Sequence, residues 1–212
     1  MRNVLLVGGA PRVRVDAVRY FTVAASGNTA VALQAHLFIN NCPSTLLLGL
    51  DANPTVVAQR YNDRAELEQS LRSWINEYPD GVLVLSAAIN DYSVVSVASV
   101  RGQQNRVIGI GEKLPSGADE VTIRLKPASK VIDQLRDWGH RGPLIAFKYE
   151  DRETVLSSAS ALRERVGANV VVANSLCGNV QAMMSASGSA MFADRAALMS
   201  ALSDRVLALA TL

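Results

Sequence analysis

Several short segments of this chain combine glycine, hydroxyl, carboxylate and ammonium groups in ways that suit phosphate chemistry. Gly8-Gly9-Ala10-Pro11 would let a ligand approach the backbone, with free amides to meet an anion, or it is a plain turn at a strand end. The next glycine is Gly27, so the dinucleotide spacing G-x-G-x-x-G is absent. Arg12, Arg14 and Arg19, with Asp16 among them, offer guanidinium groups for a phosphate or carboxylate, or form a solvated loop. Ala25-Ser26-Gly27-Asn28 opens a helix as an anion pocket or as a simple cap. In Ser86-Ala87-Ala88-Ile89-Asn90-Asp91-Tyr92 the small residues leave room, and Asp91 could hold a cation on a triphosphate or cap a turn. Gly109-Ile110-Gly111-Glu112-Lys113 reads as a flexible loop carrying an ammonium, suited to a phosphoryl centre or simply solvated.

These segments need a frame. Val4 to Val7, Thr45 to Leu50, Val82 to Leu85, Leu144 to Phe147 and Val170 to Ala173 are short apolar runs of buried-strand type. Thr55 to Ala58 reads as a further short strand. Helical patterns lie between them, over Ser26 to Asn40, from Asp63 with Leu67, Leu71, Trp74 and Ile75 on one face, over Ser129 to Trp138, over Arg152 to Val166 and over Asp194 to Leu209. Strand–helix alternation predicts a three-layer, Rossmann-like α/β fold with a mostly parallel sheet. Residues 93–126 depart from it. They are rich in Val and Ser, Gly102 marks a turn, and Val121 to Leu125 alternates with period two, which predicts a small antiparallel β annex inserted in one domain spanning 1–212. Residues 179–192 read as a hairpin turning at Ser187-Gly188. Phe147, Lys148 and Asn174 then fall at carboxyl ends of strands, where ligands bind in such sheets.

Composition narrows the function. With 49% hydrophobic and 19% charged residues in 212, the chain folds around a core. A net charge of +2 and 5% aromatics argue against nucleic acid as a partner. Two histidines and two cysteines leave little for a metal centre or a disulfide frame, and Cys42 and Cys177 read as inert thiols. No apolar run reaches membrane-spanning length and the N-terminus lacks a signal-peptide pattern, so no membrane partner and a cytoplasmic location are expected. Arg2, Arg12, Arg14 and Arg19 suggest a local basic rim for an anionic substrate.

Taken in order, five pieces resemble the phosphopantothenate–cysteine ligase family over roughly residues 3–210. They are Gly8-Gly9 with Asp16-Ala17-Val18-Arg19; Ser26-Gly27; Ser86-Ala87-Ala88 with Asp91-Tyr92; Glu112-Lys113-Leu114 with Ser116; and Phe147-Lys148-Tyr149-Glu150 leading to Val170 to Asn174. The resemblance implies activation of the carboxylate of 4′-phosphopantothenate by CTP or ATP with Mg²⁺, giving an acyl-nucleotidylate and pyrophosphate, then attack by the amine of cysteine. It implies a homodimer, with residues 93–126 as the dimerisation element. It gives Lys113 and Asp91 catalytic roles, with Asp91 also facing the metal. Gly8, Gly9, Ala88, Asp91, Phe147, Lys148 and Asn174 would bind nucleotide, and Arg19, Ser26, Gly27 and Asn28 the substrate.

The chain also departs from the family pattern. Val23 stands where the family has an Asn that assists turnover of the acyl-nucleotidylate, Ala25 precedes Ser26, and Asn28 occupies a basic position. Ala10 replaces a Thr and Asn169 an acidic residue. Three functional readings follow: a working ligase on the usual substrates, a divergent enzyme acting on another carboxylate, and a catalytically silent nucleotide-binding or partner subunit.

Overall fold

The computed structural model describes residues 1–109 and 111–212, so the Ile110 position in the expected flexible loop lies outside the described residues. Its central sheet has eight strands. They are β1 (Val4–Gly8), β4 (Ser44–Gly49), β5 (Gln59–Tyr61), β6 (Val82–Leu85), β10 (Leu144–Glu150), β11 (Val170–Ser175), β12 (Gln181–Ser185) and β13 (Gly188–Met191). Two short strands, β2 (Val13–Arg14) and β3 (Tyr20–Phe21), form a separate ribbon. The annex is a three-stranded antiparallel sheet of β7 (Tyr92–Arg101), β8 (Gln104–Ile108) and β9 (Glu120–Pro127). Among the described residues five helices accompany them: α1 (Asn28–Ile39), α2 (Arg64–Glu77), α3 (Val131–Gln134), α4 (Val155–Val166) and α5 (Arg195–Thr211).

The sheet order is β13-β12-β11-β10-β6-β1-β4-β5, parallel from β11 to β5, with β12 and β13 added antiparallel at one edge. Side chains of alternate strand residues enter opposite layers. Leu5, Val7, Leu83 and Leu85 pack with Leu67, Leu71 and Ile75 of α2 and Val155, Ala159 and Leu162 of α4. Leu6, Leu48, Val84 and Val172 pack with Leu33 and Leu37 of α1 and Leu198, Leu202 and Val206 of α5. Burial on both faces is why the strands are continuous apolar runs rather than alternating ones. The three-layer, mostly parallel fold and the antiparallel annex are thus as expected.

Local boundaries differ. Thr55 to Ala58 is not a strand; its backbone turns under Arg60, whose guanidinium donates to the carbonyls of Gly49, Ala52, Asn53 and Val56. The helix expected over Ser129 to Trp138 shortens to α3 followed by turns, beside which Arg136 binds the carbonyls of His140, Gly142 and Gly167. The hairpin turns at Ala186-Ser187, because Ser185 pairs directly with Gly188. Gly188 at φ 120° begins the return strand.

β1 leads through α1 to β4 on one side, whereas β6 leads to β10 on the other. The chain therefore reverses its direction of winding between β1 and β6, and a crevice opens at their carboxyl ends.

Candidate active site

The crevice holds a cleft of about 560 Å³. Gly8 and Gly9, predicted to bind nucleotide, do not line it; they pack behind Gly27, which does. Gly9 has φ 80°, and a Cβ there would lie 2.7 Å from Ala52 Cβ, so the close packing of β1 against the next loop requires glycine. Its carbonyl accepts from the Ala88 amide at 2.9 Å, tying the end of β1 to the segment after β6. Gly27 begins α1 with φ 75° and packs on Gly8 and Gly9. The cleft wall comprises Val23 to Thr29, Ser86, Ala88, Phe147, Lys148, Tyr149, Asn174 to Leu176, Gly178, Gln181 and Arg195. Seven sequence-predicted residues from four parts of the chain thus meet: Ser26, Gly27, Asn28, Ala88, Phe147, Lys148 and Asn174.

The start of α1 is braced by Asn53. Its Nδ2 donates to the Ser26 carbonyl at 2.5 Å and to Asn28 Oδ1 at 3.0 Å. Lys148 is paired with Glu150 on its own strand. That lysine first, then Ser158, hold the Glu150 carboxyl below its usual range against the effect of burial. Sequence reasoning missed Arg195. It sits one residue past Asp194, which caps α5 by accepting from Ala197, and its guanidinium reaches Thr29 Oγ1 at 2.6 Å. No local pattern could reveal it, since the two residues are 166 positions apart.

Asp91, Arg19 and Lys113 are not in the cleft wall. Asp91 lines a neighbouring cavity of about 150 Å³ that shares Phe147 and Lys148, and its carboxylate faces Lys130 at 3.9 Å. Among the described residues no cluster of three or more His, Cys, Asp or Glu side chains could hold a metal ion. A magnesium ion that arrives on a triphosphate needs only one or two protein carboxylates, so exposed Asp91 fits that role.

Arg19 lines a third pocket, of about 270 Å³, with Arg12, Arg14 and Tyr20. The expected basic rim is smaller than the sequence suggests. Arg2 lies at the amino end of β1 and donates to the Leu209 carbonyl, away from the cleft. Arg12 pairs with Asp51 and stacks on Tyr20 at 4.1 Å. Arg19 pairs with Asp16.

Lys113 is exposed, but the backbone around it is tethered. The Glu112 carbonyl accepts from Ala17 at 2.9 Å and the Leu114 amide donates to Asp16 Oδ2 at 2.9 Å. The Leu114 side chain is buried with Val97 and Ile108 of the annex. The loop expected to be flexible is therefore held on both sides of its lysine.

The two thiols differ. Cys42 is buried, which pushes its pKa up and keeps it inert. Cys177 is exposed, with Sγ 3.4 Å from Ser175 Oγ, and that hydrogen bond leads the contacts that draw its pKa down. A larger open groove, about 640 Å³, runs along α1 from Val31 to Ser44, but no Asp, Glu, Lys, Arg or His lines it and it reaches the amino end of β4.

A cleft at the switch point, walled by small residues, amides and cations, offers groups of the kind that can meet an anionic ligand. Residues 1–206 match the family described as the DNA/pantothenate metabolism flavoprotein C-terminal domain. The chain belongs to this family. The motif order read from the sequence pointed to the same family. The chain is 29% identical over 180 residues to a coenzyme A biosynthesis bifunctional protein CoaBC of Thermococcus kodakarensis, covering 82% of the chain and 41% of that relative. It thus spans about two-fifths of the curated relative. Among solved structures, the DNA/pantothenate metabolism flavoprotein of Streptococcus pneumoniae superposes with a TM-score of 0.81 at 16% identity, covering 98% of this chain and 99% of the other. A Cab2 mutant solved with phosphopantothenate-cysteine gives 0.74 at 13% identity, covering 99% and 86%. At these identities the superpositions establish a shared fold. No helix among the described residues is long and apolar enough to cross a membrane.

Proposed function

We propose that this chain ligates cysteine to 4′-phosphopantothenate at the expense of CTP or ATP. The observation that carries the reading is the cleft itself, which gathers Ser26, Gly27, Asn28, Ala88, Phe147, Lys148 and Asn174 where β1, β6, β10 and β11 end. The first step brings a carboxylate and a triphosphate together, so the site must offset negative charge that grows on the departing pyrophosphate. Lys113 supplies a cation for that charge. Amides at the start of α1 and the Arg195 guanidinium meet phosphate oxygens, and Arg195 restores a charge that Asn28 lacks. Phe147, Lys148 and Asn174 enclose the nucleotide. Asp91 would hold magnesium, which neutralises phosphate charge when bound. Ser26, Gly27 and Asn28 with Arg19 bind the phosphopantothenate side.

The same reading makes the protein a homodimer paired through the annex. β9 is an eight-residue edge strand, exposed along its length, with Val121, Ile123 and Leu125 in one row. Such an edge calls for a cover, and a second copy supplies one.

Val23 favours a second reading. It is 39% exposed in the cleft wall and its side chain offers no hydrogen bond where the family has an Asn. A different carboxylate, or nucleotide binding without turnover, would accommodate that change.

Pyrophosphate release with CTP or ATP, Mg²⁺, 4′-phosphopantothenate and cysteine tests these readings. Release that requires phosphopantothenate is expected. Release that ignores it but responds to another acid replaces the substrate, and binding without release leaves a silent homologue. Val23→Asn should clear any acyl-nucleotidylate that accumulates in the native protein.

A further inference from the structure

Asp16 is the one buried carboxylate among the described residues. Its side chain has no exposed surface, and both oxygens are used. Oδ1 accepts from the Val18 amide at 2.8 Å and the Arg19 amide at 2.6 Å, which closes the turn that follows β2. Oδ2 accepts from the Arg19 guanidinium and from the Leu114 amide at 2.9 Å. The contact with Leu114 crosses 98 positions of sequence. Two further bonds run in parallel, from the Ala17 amide to the Glu112 carbonyl at 2.9 Å and from Arg19 to the Leu114 carbonyl at 3.3 Å. Leu114 and the nearby Val15 both pack in the small apolar cluster of the annex. The buried anion on one side of Lys113 and the Ala17 amide on the other therefore join the Arg19 turn to the backbone around that lysine.

We propose that Asp16 is a positioning residue, a latch that fixes Lys113 and Arg19 relative to one another so that their cations reach the substrates as one unit. The inference rests on the reading of Lys113 given above. The donors around Asp16 explain why the position demands a carboxylate. Four N–H groups converge on its two oxygens, and an amide would turn an NH₂ toward donors on one side. Asn at this position keeps the shape but must break contacts on one oxygen, leaving buried donors unpaired.

Asp16→Asn tests the latch without reference to catalysis. The amide that donates to Asp16 belongs to the Lys113–Leu114 peptide bond, which a lysine-specific protease cleaves. Native protein should resist nicking there and protect the Leu114 amide from hydrogen exchange. The variant should exchange that amide at least about tenfold faster and be nicked after Lys113, with core amides of β1 and β6 still protected. Unchanged exchange and nicking would overturn the latch. Loss of protection across the whole sheet would overturn it too, because Asp16 would then be holding up the fold rather than one loop.

A double-mutant cycle tests the consequence. Asp16→Asn should slow turnover at saturating substrate while nucleotide affinity stays within about threefold. Combined with Lys113→Ala, it should add nothing to the loss from Lys113→Ala alone. Independent, multiplying losses would overturn the positioning role. Asp16→Glu keeps the charge and should recover part of the turnover that Asp16→Asn loses. If Lys113→Ala leaves turnover intact, the role of Lys113 fails and the positioning role with it. Absence of turnover in the native protein would refute the ligase reading, while exchange at Leu114 still decides whether the latch exists.

Discussion

Lys113 presents an ammonium from a backbone held on both sides, and this makes its role sharp enough to test. Lys113→Ala should lower turnover about 100-fold, the scale of losing one group that stabilises transition-state charge, with nucleotide affinity nearly unchanged. Pyrophosphate release and calorimetric titration separate the two; equal losses in both would make the lysine a binding group only. Arg195→Ala should act the other way, weakening triphosphate binding about tenfold by removing one charge-assisted contact, with a smaller effect at high salt. Two buried groups contribute to the acid response. Burial first, then the nearby Arg136, push the His140 pKa below its ordinary 6.5, against the hydrogen bond to the Gly81 carbonyl. Burial works against the charge of Asp16, but its amide and guanidinium donors outweigh it and hold the carboxyl below its ordinary 3.8. In both cases the unfolded chain takes up the proton first as pH falls. Each contribution is complete above the ordinary value and is lost as pH drops toward the folded one. Tm should therefore fall in two stages, one beginning near 6.5 and one near 3.8, and His140→Gln should remove the first. A calorimetric pH series checks this.

The elements around the cleft depend on contacts made outside it. Arg60 gathers the carbonyl that ends β4 and three of the loop after it, that loop carries Asn53, and Asn53 braces the first residues of α1. Arg60→Ala should lower Tm and also weaken nucleotide binding, although Arg60 does not line the cleft; unchanged affinity would break the chain of contacts. Gly27→Ala should cost about 1–3 kcal/mol, because alanine would be forced to φ 75° with its Cβ 3.1 Å from Leu48 Cδ2. Thermal denaturation measures it. The same elements mark what sequence could supply. Runs such as Val4 to Val7 and Val170 to Ala173 announced the parallel strands because both their faces are buried. Thr55 to Ala58 misled because its β-type residues are turned by Arg60. α3 stops short of the helical pattern, and turns lead from it to the carbonyls that Arg136 binds.

At the scale of the molecule, the winding reversal between β1 and β6 converts separate motifs into one cleft. Ser26, Ala88, Phe147 and Asn174 were legible one by one, because each sits next to an apolar strand or a helix start. Arg195 was not, since its partner Thr29 is distant in sequence, and neither was the separation of Arg19 from the cleft wall. The annex carries the assembly prediction. Ile123→Lys places a charge in the exposed row of β9 and should convert the proposed dimer to monomer in analytical ultracentrifugation, with the central fold intact by circular dichroism. A native monomer would remove the annex from that role. The contrast between the thiols has a practical use. One is buried at the end of α1, 4% exposed, and the other is exposed between Leu176 and Gly178 of the cleft wall. A maleimide fluorophore should therefore attach at Cys177 alone, without any engineered cysteine, and its emission would report when the neighbouring cleft fills.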